Sequence, residues 1–262
     1  MRAQLNGYVV GDEDLWMYDW FEIPAFSPRS VRDVLEKTPE GEETIFEINS
    51  YGGSVFAGFE IYSVMRNARQ KTVAEVQSIA ASAASTIMLG CDEVQASPVA
   101  QVMLHLPLTT TDGNRYDHLE SVDVLDSLTE SILNAYVIKC GPRSTRDELK
   151  RLMKTSVWLT APDAMGLGLV DKIIGAETID PSAIINCAGG MTHGIRALAA
   201  NPMPSPSSLR QRYEALVAEG KAPERNGIGE PQYAVAHIPE EFTSPDFLEE
   251  AKARLELEKI RF

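Results

Sequence analysis

The sequence is poor in the residues that build cross-links and metal centres. It holds three cysteines, Cys91, Cys140 and Cys187, and four histidines in 262 residues. The cysteines are far apart and odd in number, so neither a disulfide framework nor a zinc spacing is present. Three reduced, mostly buried thiols are expected, with no metal and no cofactor. Long apolar runs are also missing. No stretch reaches the ~18 residues that cross a bilayer. The opening Met1-Arg2-Ala3-Gln4-Leu5-Asn6 has no signal-peptide core, so a cytoplasmic protein without a membrane partner is expected. Basic residues are in deficit: 24 Lys+Arg stand against 38 Asp+Glu, for a formal charge of −14. That balance excludes a general nucleic-acid binder and an anionic membrane surface. The Gly-x4-Gly-Lys-Ser/Thr phosphate loop is absent, so this sequence carries no ATPase motor. There is no internal repeat.

What is present reads as a soluble α/β protein. The length suits an α/β domain of about 180 residues plus an appendage, and a hydrophobic share of 44% is ordinary for a globular chain. Residues 5–10 read as a first strand. Ser27-Pro28-Arg29-Ser30 opens a helix through Val31, Val34 and Leu35. Thr44–Asn49 is a buried strand that ends at a Gly52-Gly53 turn, and a helix follows with Phe56, Phe59, Ile61, Tyr62 and Met65 mostly on one side. Strands are expected over Thr72–Val76, Glu93–Ala96 and Val102–His105, with a buried helix from Ser82 to Leu89. This alternation predicts helix-covered sheets. A long amphipathic helix spans Tyr116–Lys139, with Leu119, Val122, Leu125, Leu128, Ile132, Leu133 and Tyr136 at helical spacing, and Gly141-Pro142 stops it. Ser144 with Asp147 is expected to cap a short helix through Leu149 and Leu152; Thr160 with Asp163 forms another capping-box pattern. Gly168–Ile174 reads as a turn and a final strand. Residues 186–208 have linker chemistry, with Asn201-Pro202-Met203-Pro204-Ser205-Pro206 at their end. Short helices are expected over Ser208–Gly220 and from Ser244 to Phe262.

Three blocks carry chemistry: Asn49-Ser50-Tyr51-Gly52-Gly53-Ser54, Ala80-Ala81-Ser82-Ala83, and Met103-Leu104-His105-Leu106-Pro107. A serine hydroxyl is a weak nucleophile and needs a base within hydrogen-bond reach. An imidazole titrates near neutrality and suits that role. Fixed backbone N–H groups near a glycine turn or a helix start stabilise the oxyanion, each by about 3 kcal/mol. Taken singly, the blocks are weak. Ser78 and Ser85 equal Ser82 by type, Gly52-Gly53 alone is a turn, and His105 alone suits a core. His118, His193 and His237 read as solvated or structural.

In order and spacing, the blocks resemble the ClpP-type serine peptidases over about residues 5–178. Within them they most resemble the phage-type, ClpP-related head-maturation (prohead) proteases, through the Gly53–Gly58 block and the extra tail. The resemblance implies a ClpP/crotonase-like fold of repeated β-β-α units with a protruding long helix, a peptidase domain over 1–178, a linker over 179–208 and a partly helical extension over 209–262. It also implies Ser82 as nucleophile, His105 as base, an oxyanion hole from the N–H groups of Gly53 and Ala83, and peptide binding as an added strand at Gly52, Ser54 and Val55. The partners implied are a protein or peptide substrate, copies of the chain in a ring or stacked rings joined through the long helix, and capsid, scaffold or portal proteins.

One position departs from the family. The acid that orients the histidine falls on Ser156, ahead of Trp158-Leu159-Thr160-Ala161. Four explanations stand: a Ser–His dyad held by Ser156 or a backbone carbonyl; another acid such as Asp112, Asp117 or one from a neighbouring chain; a weakened or inactive relative; or an alignment shifted by a residue or two. Beside the head-maturation reading stand a housekeeping-like ClpP fed by a separate ATPase, a non-catalytic assembly subunit, and a crotonase-type acyl-CoA enzyme, which would not need the Ser82–His105 pair.

Overall fold

A computed structural model describes residues 1–175 and 204–221. The expected helix from Ser244 and most of the expected linker lie outside the described residues. Contacts divide the chain into Met1–Ala215 and Leu216–Phe262, and the sheet belongs to the first of these units.

The elements run β1 (Arg2–Val9), α1 (Leu15–Trp20), β2 (Ala25–Phe26), α2 (Pro28–Lys37), β3 (Thr44–Gly53), α3 (Val55–Arg66), β4 (Thr72–Ala81), α4 (Ala83–Ile87), β5 (Glu93–Ala96) and β6 (Gln101–Leu104). They continue with α5 (Arg115–Cys140), α6 (Arg146–Lys154), β7 (Val157–Thr160), α7 (Ala161–Leu167), β8 (Lys172–Ile173) and α8 (Pro206–Ala218). One sheet has the order β2-β1-β3-β4-β5-β8, parallel throughout. β4 forks: its first half, Val73–Val76, pairs with β5, and its second half, Ile79–Ala81, pairs with β6. β7 then closes antiparallel on β6. The result is the mixed α/β fold expected, with the long helix present.

Alternation explains the strands. In β3, Thr44, Phe46, Ile48 and Ser50 face inward and are buried, as period-2 geometry requires. Helix starts follow their caps. Ser27 and Ser30 close a capping box with Pro28 in the first turn of α2, and Thr160 with Asp163 does the same for α7. The core joins Phe46, Ile48, Ala74 and Val76 of the sheet to Ile61, Met65, Ile87 and Leu133 of the helices. Truncating a buried Ile such as Ile61 to Ala in such a core costs about 2–5 kcal/mol.

Several local expectations shift. Ser144 does not cap α6: Thr145 does, accepting from the Glu148 N–H at 3.2 Å. The buried Ser144 hydroxyl instead donates to the Leu167 carbonyl at 2.9 Å. Phe56 is not part of the inward face of α3 but 69% exposed; Ala57, Gly58, Ile61 and Met65 form that face. The apolar stripe of α5 splits. Ile132, Leu133 and Tyr136 are buried, whereas Leu119 and Val122 are about half exposed, at 48% and 52%. α1, β2 and β7 are additional elements, each six residues or shorter. α8 packs on α1: Leu209 is buried with Val10, Met17 and Tyr18, and the Tyr213 ring meets Trp16 and Trp20 edge-on at 5.3 and 5.1 Å. No helix among the described residues is long and apolar enough to cross a membrane.

Candidate active site

The fork in β4 brings the three blocks together. β3 pairs Ser50 with Ala80, so the register carried on sets Gly52 beside Ser82. β4 pairs Ala81 with Met103, so His105 follows just past the end of β6. All three segments lie at the carboxyl ends of parallel strands, where the strand order branches. That is the usual place for a site in an open α/β sheet.

Ser82 is the single residue between β4 and α4. Its backbone takes φ +56° and ψ −126°, a conformation that costs a non-glycine residue about 1–3 kcal/mol. Hydrogen bonds hold it there. The Ser82 N–H donates to the Met103 carbonyl at 3.0 Å, and the Ser82 carbonyl accepts from the Ser85 N–H at 3.0 Å and from the Ser85 hydroxyl at 2.6 Å. Ser82 Oγ lies 2.7 Å from His105 Nε2.

The His105 ring is half-buried. Burial pushes its pKa below the ordinary 6.5, and the Leu106 backbone, whose carbonyl favours the protonated ring, offsets part of that shift. A neutral imidazole at pH 7 has the lone pair that a serine proton needs. No carboxylate among the described residues bears on the ring.

Gly52 and Gly53 are required by close approach. A Cβ on Gly52 would lie 2.7 Å from Ser82 Cβ and 2.9 Å from the Ala83 nitrogen, at φ +94°. A Cβ on Gly53 would lie 2.1 Å from the Val9 carbonyl oxygen. The turn therefore sits directly against the Ser82–Ala83 backbone. Ser54 is committed within the fold: its N–H donates to the Val9 carbonyl at 2.8 Å, its carbonyl accepts from the Gly58 N–H at 3.0 Å, and its hydroxyl accepts from the Ala57 N–H at 3.3 Å. Val55 joins Gly58, Phe59, Ala83 and Ile132 in a small apolar-walled cavity against Ser82 and His105. Its free volume, about 20 Å³, is the room of roughly one water molecule. A larger cleft of about 650 Å³ adjoins it at Val55, between Phe56, the 108–112 segment and the first half of α5.

The other candidates are occupied elsewhere. The Ser78 hydroxyl donates to Asn49 Oδ1, and Ser85 is bonded as described. His118 Nδ1 pairs with Thr111 Oγ1 at 2.6 Å; His193 and His237 lie outside the described residues. Asp112 accepts from the Gly113 N–H and Asp117 from the Asn114 N–H, at 2.9 and 2.6 Å. Ser156 is exposed at φ +53°. Antiparallel pairing of Leu104 with Val157 puts it across from His105, yet no hydrogen bond joins the two among the described residues. The backbone carbonyl that the dyad explanation allowed falls at Leu106; Tyr136, which read only as part of a helical stripe, lines the small cavity beside Ser82 and His105. No group of His, Cys, Asp and Glu among the described residues could hold a metal ion. Burial pushes the thiols of Cys91 and Cys140 up to about 12 and about 11, so both stay protonated and poorly nucleophilic.

A parallel-sheet α/β domain with a serine and a histidine in contact at its strand ends defines a class in which acyl transfer is chemically accessible. The chain belongs to the Clp protease family, whose pattern matches residues 33–177. It is 30% identical over 145 residues to the ATP-dependent Clp protease proteolytic subunit 1 of Chlamydia muridarum, covering 53% of this chain and 74% of that one. The ATP-dependent Clp protease proteolytic subunit of Zea mays is 33% identical over 145 residues, 54% of this chain and 66% of its own length. That of Porphyromonas gingivalis is 27% identical over 143 residues, 53% and 63%.

Proposed function

We propose that the chain is a serine endopeptidase of the ClpP type that works with a Ser82–His105 dyad. The contact between Ser82 Oγ and His105 Nε2, 2.7 Å at a strained Ser82 backbone, carries this reading. Ser82 Oγ attacks the scissile carbonyl carbon while His105 Nε2 takes its proton. The N–H groups of Gly53 and Ala83 receive the oxyanion. Collapse breaks the C–N bond, His105 returns the proton to the leaving amine, and water repeats the sequence on the acyl-enzyme. The Leu106 carbonyl serves the imidazole in place of an acid. Both backbone groups of Ser54 are engaged and the Gly52 N–H donates to Ser50 Oγ at 3.1 Å, so an added substrate strand pairs at Val55, which borders the larger cleft.

The substrates we assign are capsid or scaffold segments during head maturation. The long stretch beyond the family match and the Gly53–Gly58 block support that subtype, with a peptidase domain over 1–178 and an extension joined through 179–208. Copies of the chain associate through the exposed half of α5 into rings or stacked rings, acting in the cytoplasm of an infected host or inside the assembling head. The names of the similar proteins favour a second reading, a proteolytic subunit fed by a separate ATPase.

Hydrolysis of an unstructured protein tests the proposal. Ser82→Ala should abolish cleavage, and His105→Ala should lower it by about three orders of magnitude or more. Undiminished turnover in His105→Ala contradicts the dyad. Cleavage of a capsid or scaffold protein without ATP supports the head-maturation subtype; cleavage that requires an ATPase partner supports the second reading.

A further inference from the structure

Behind Ser82 runs a line of hydroxyl groups that dyad chemistry does not itself require. Ser85 on α4 is fully buried, and Tyr136 on α5 nearly so. The Ser85 hydroxyl donates to the Ser82 carbonyl at 2.6 Å, and the Tyr136 oxygen lies 2.8 Å from Ser85 Oγ. A serine hydroxyl has one proton. With that proton directed at the carbonyl, the proton between Ser85 and Tyr136 comes from the phenol. Burial pushes the Tyr136 pKa up, so the phenol stays a donor at neutral pH. The relay therefore runs from Tyr136 O–H to Ser85 Oγ, and from Ser85 O–H to the Ser82 carbonyl.

The Ser82 carbonyl and the Ala83 N–H belong to one planar trans peptide unit and point in opposite directions. Fixing the carbonyl fixes the line along which the N–H points. Hydrogen bonds to a carbonyl also polarise its peptide group and strengthen the N–H at the other end. Ser82 has a positive φ, so this plane is held by its partners and not by local preference. Resting on the peptidase reading above, we infer that Tyr136 is a positioning residue: acting through Ser85, it aims the Ala83 N–H at the oxyanion. α5 thus contributes to the site from its buried half, 51 residues along the chain from Ser85.

The test is the rate at which a fluorophosphonate modifies the full-length protein. In that reaction a Ser82 Oγ–P bond forms, the P–F bond breaks, fluoride leaves and His105 takes the proton. Tyr136→Phe keeps the ring and removes the donor. Its maximal labelling rate should fall about three- to tenfold, the range of one hydrogen bond. The half-saturating probe concentration and the pH midpoint should not move. Ser85→Ala should show the same kind of loss, and the double variant should be no slower than Ser85→Ala. Cys140→Ala, a buried truncation on the same helix, should label at the wild-type rate. If Tyr136→Phe does not fold, the Ser85→Ala loss with an unmoved half-saturating concentration decides. Wild-type labelling with undiminished rates in both variants overturns this inference alone, as does a double variant that multiplies the two losses. Wild-type protein that takes no label overturns the peptidase reading and this inference with it.

Discussion

Burial lowers the pKa of His105 from its ordinary 6.5, and the consequence can be read in two ways. The base must be neutral to accept the Ser82 proton, so the peptidase rate should fall on the acid side with a midpoint below 6.5; a midpoint at or above it contradicts the burial argument. Stability has the same sign. The native ring binds its proton less readily than the unfolded one, so the contribution is complete above 6.5 and is lost as the pH falls through the lower native value. Ser156 supplies a second prediction. It stands across from His105 in the strand register, and a carboxylate there would stabilise the imidazolium formed during attack. Ser156→Asp should raise turnover, and a variant no faster than wild type at any pH removes Ser156 from the orienting position. Ser82 and His105 were legible in the sequence because order and spacing link a small-residue serine block to a strand-end histidine. The hydroxyl relay was not, because it depends on how α5 lies against α4, and no local pattern encodes that.

Among the elements, α5 shows most clearly how far a sequence pattern reaches. Helical spacing locates the helix and Gly141 marks its end, but an apolar stripe looks the same whether it faces a core or a partner. The structure separates the two halves: Ile132, Leu133 and Tyr136 are buried, and Leu119 and Val122 are open. Charge on the open half should therefore disturb association and leave the fold in place. Leu119→Asp with Val122→Asp should lower the sedimentation coefficient at micromolar concentration without shifting the melting temperature. An assembly that is unaffected would place the interface elsewhere. β2 escaped detection because a strand of two residues is too short for alternation to register; in β7, Val157-Trp158-Leu159 runs apolar without alternating. The α6 cap was misplaced by one residue because Ser144 and Thr145 are both competent caps. Burial of Ser144 against the Leu167 carbonyl decides between them.

For the whole molecule, the fork of β4 matters most. One strand feeds two neighbours, and its end carries Ser82 into the gap between the Gly52 turn and the β6 end. The fold class was readable from strand–helix alternation; the fork was not, since it is set by long-range pairing. The packing of α8 on the α1 aromatics likewise joins segments nearly 200 residues apart in sequence, from a stretch whose composition reads in part as linker. The central claim is that this arrangement makes Ser82 a nucleophile. Labelling the intact protein with a fluorophosphonate and locating the adduct by peptide mass spectrometry tests it most directly. The account predicts one adduct, on Ser82, absent from Ser82→Ala and strongly reduced in His105→Ala. An adduct on Ser78 or Ser85, labelling that persists in Ser82→Ala, or no adduct at all would contradict it.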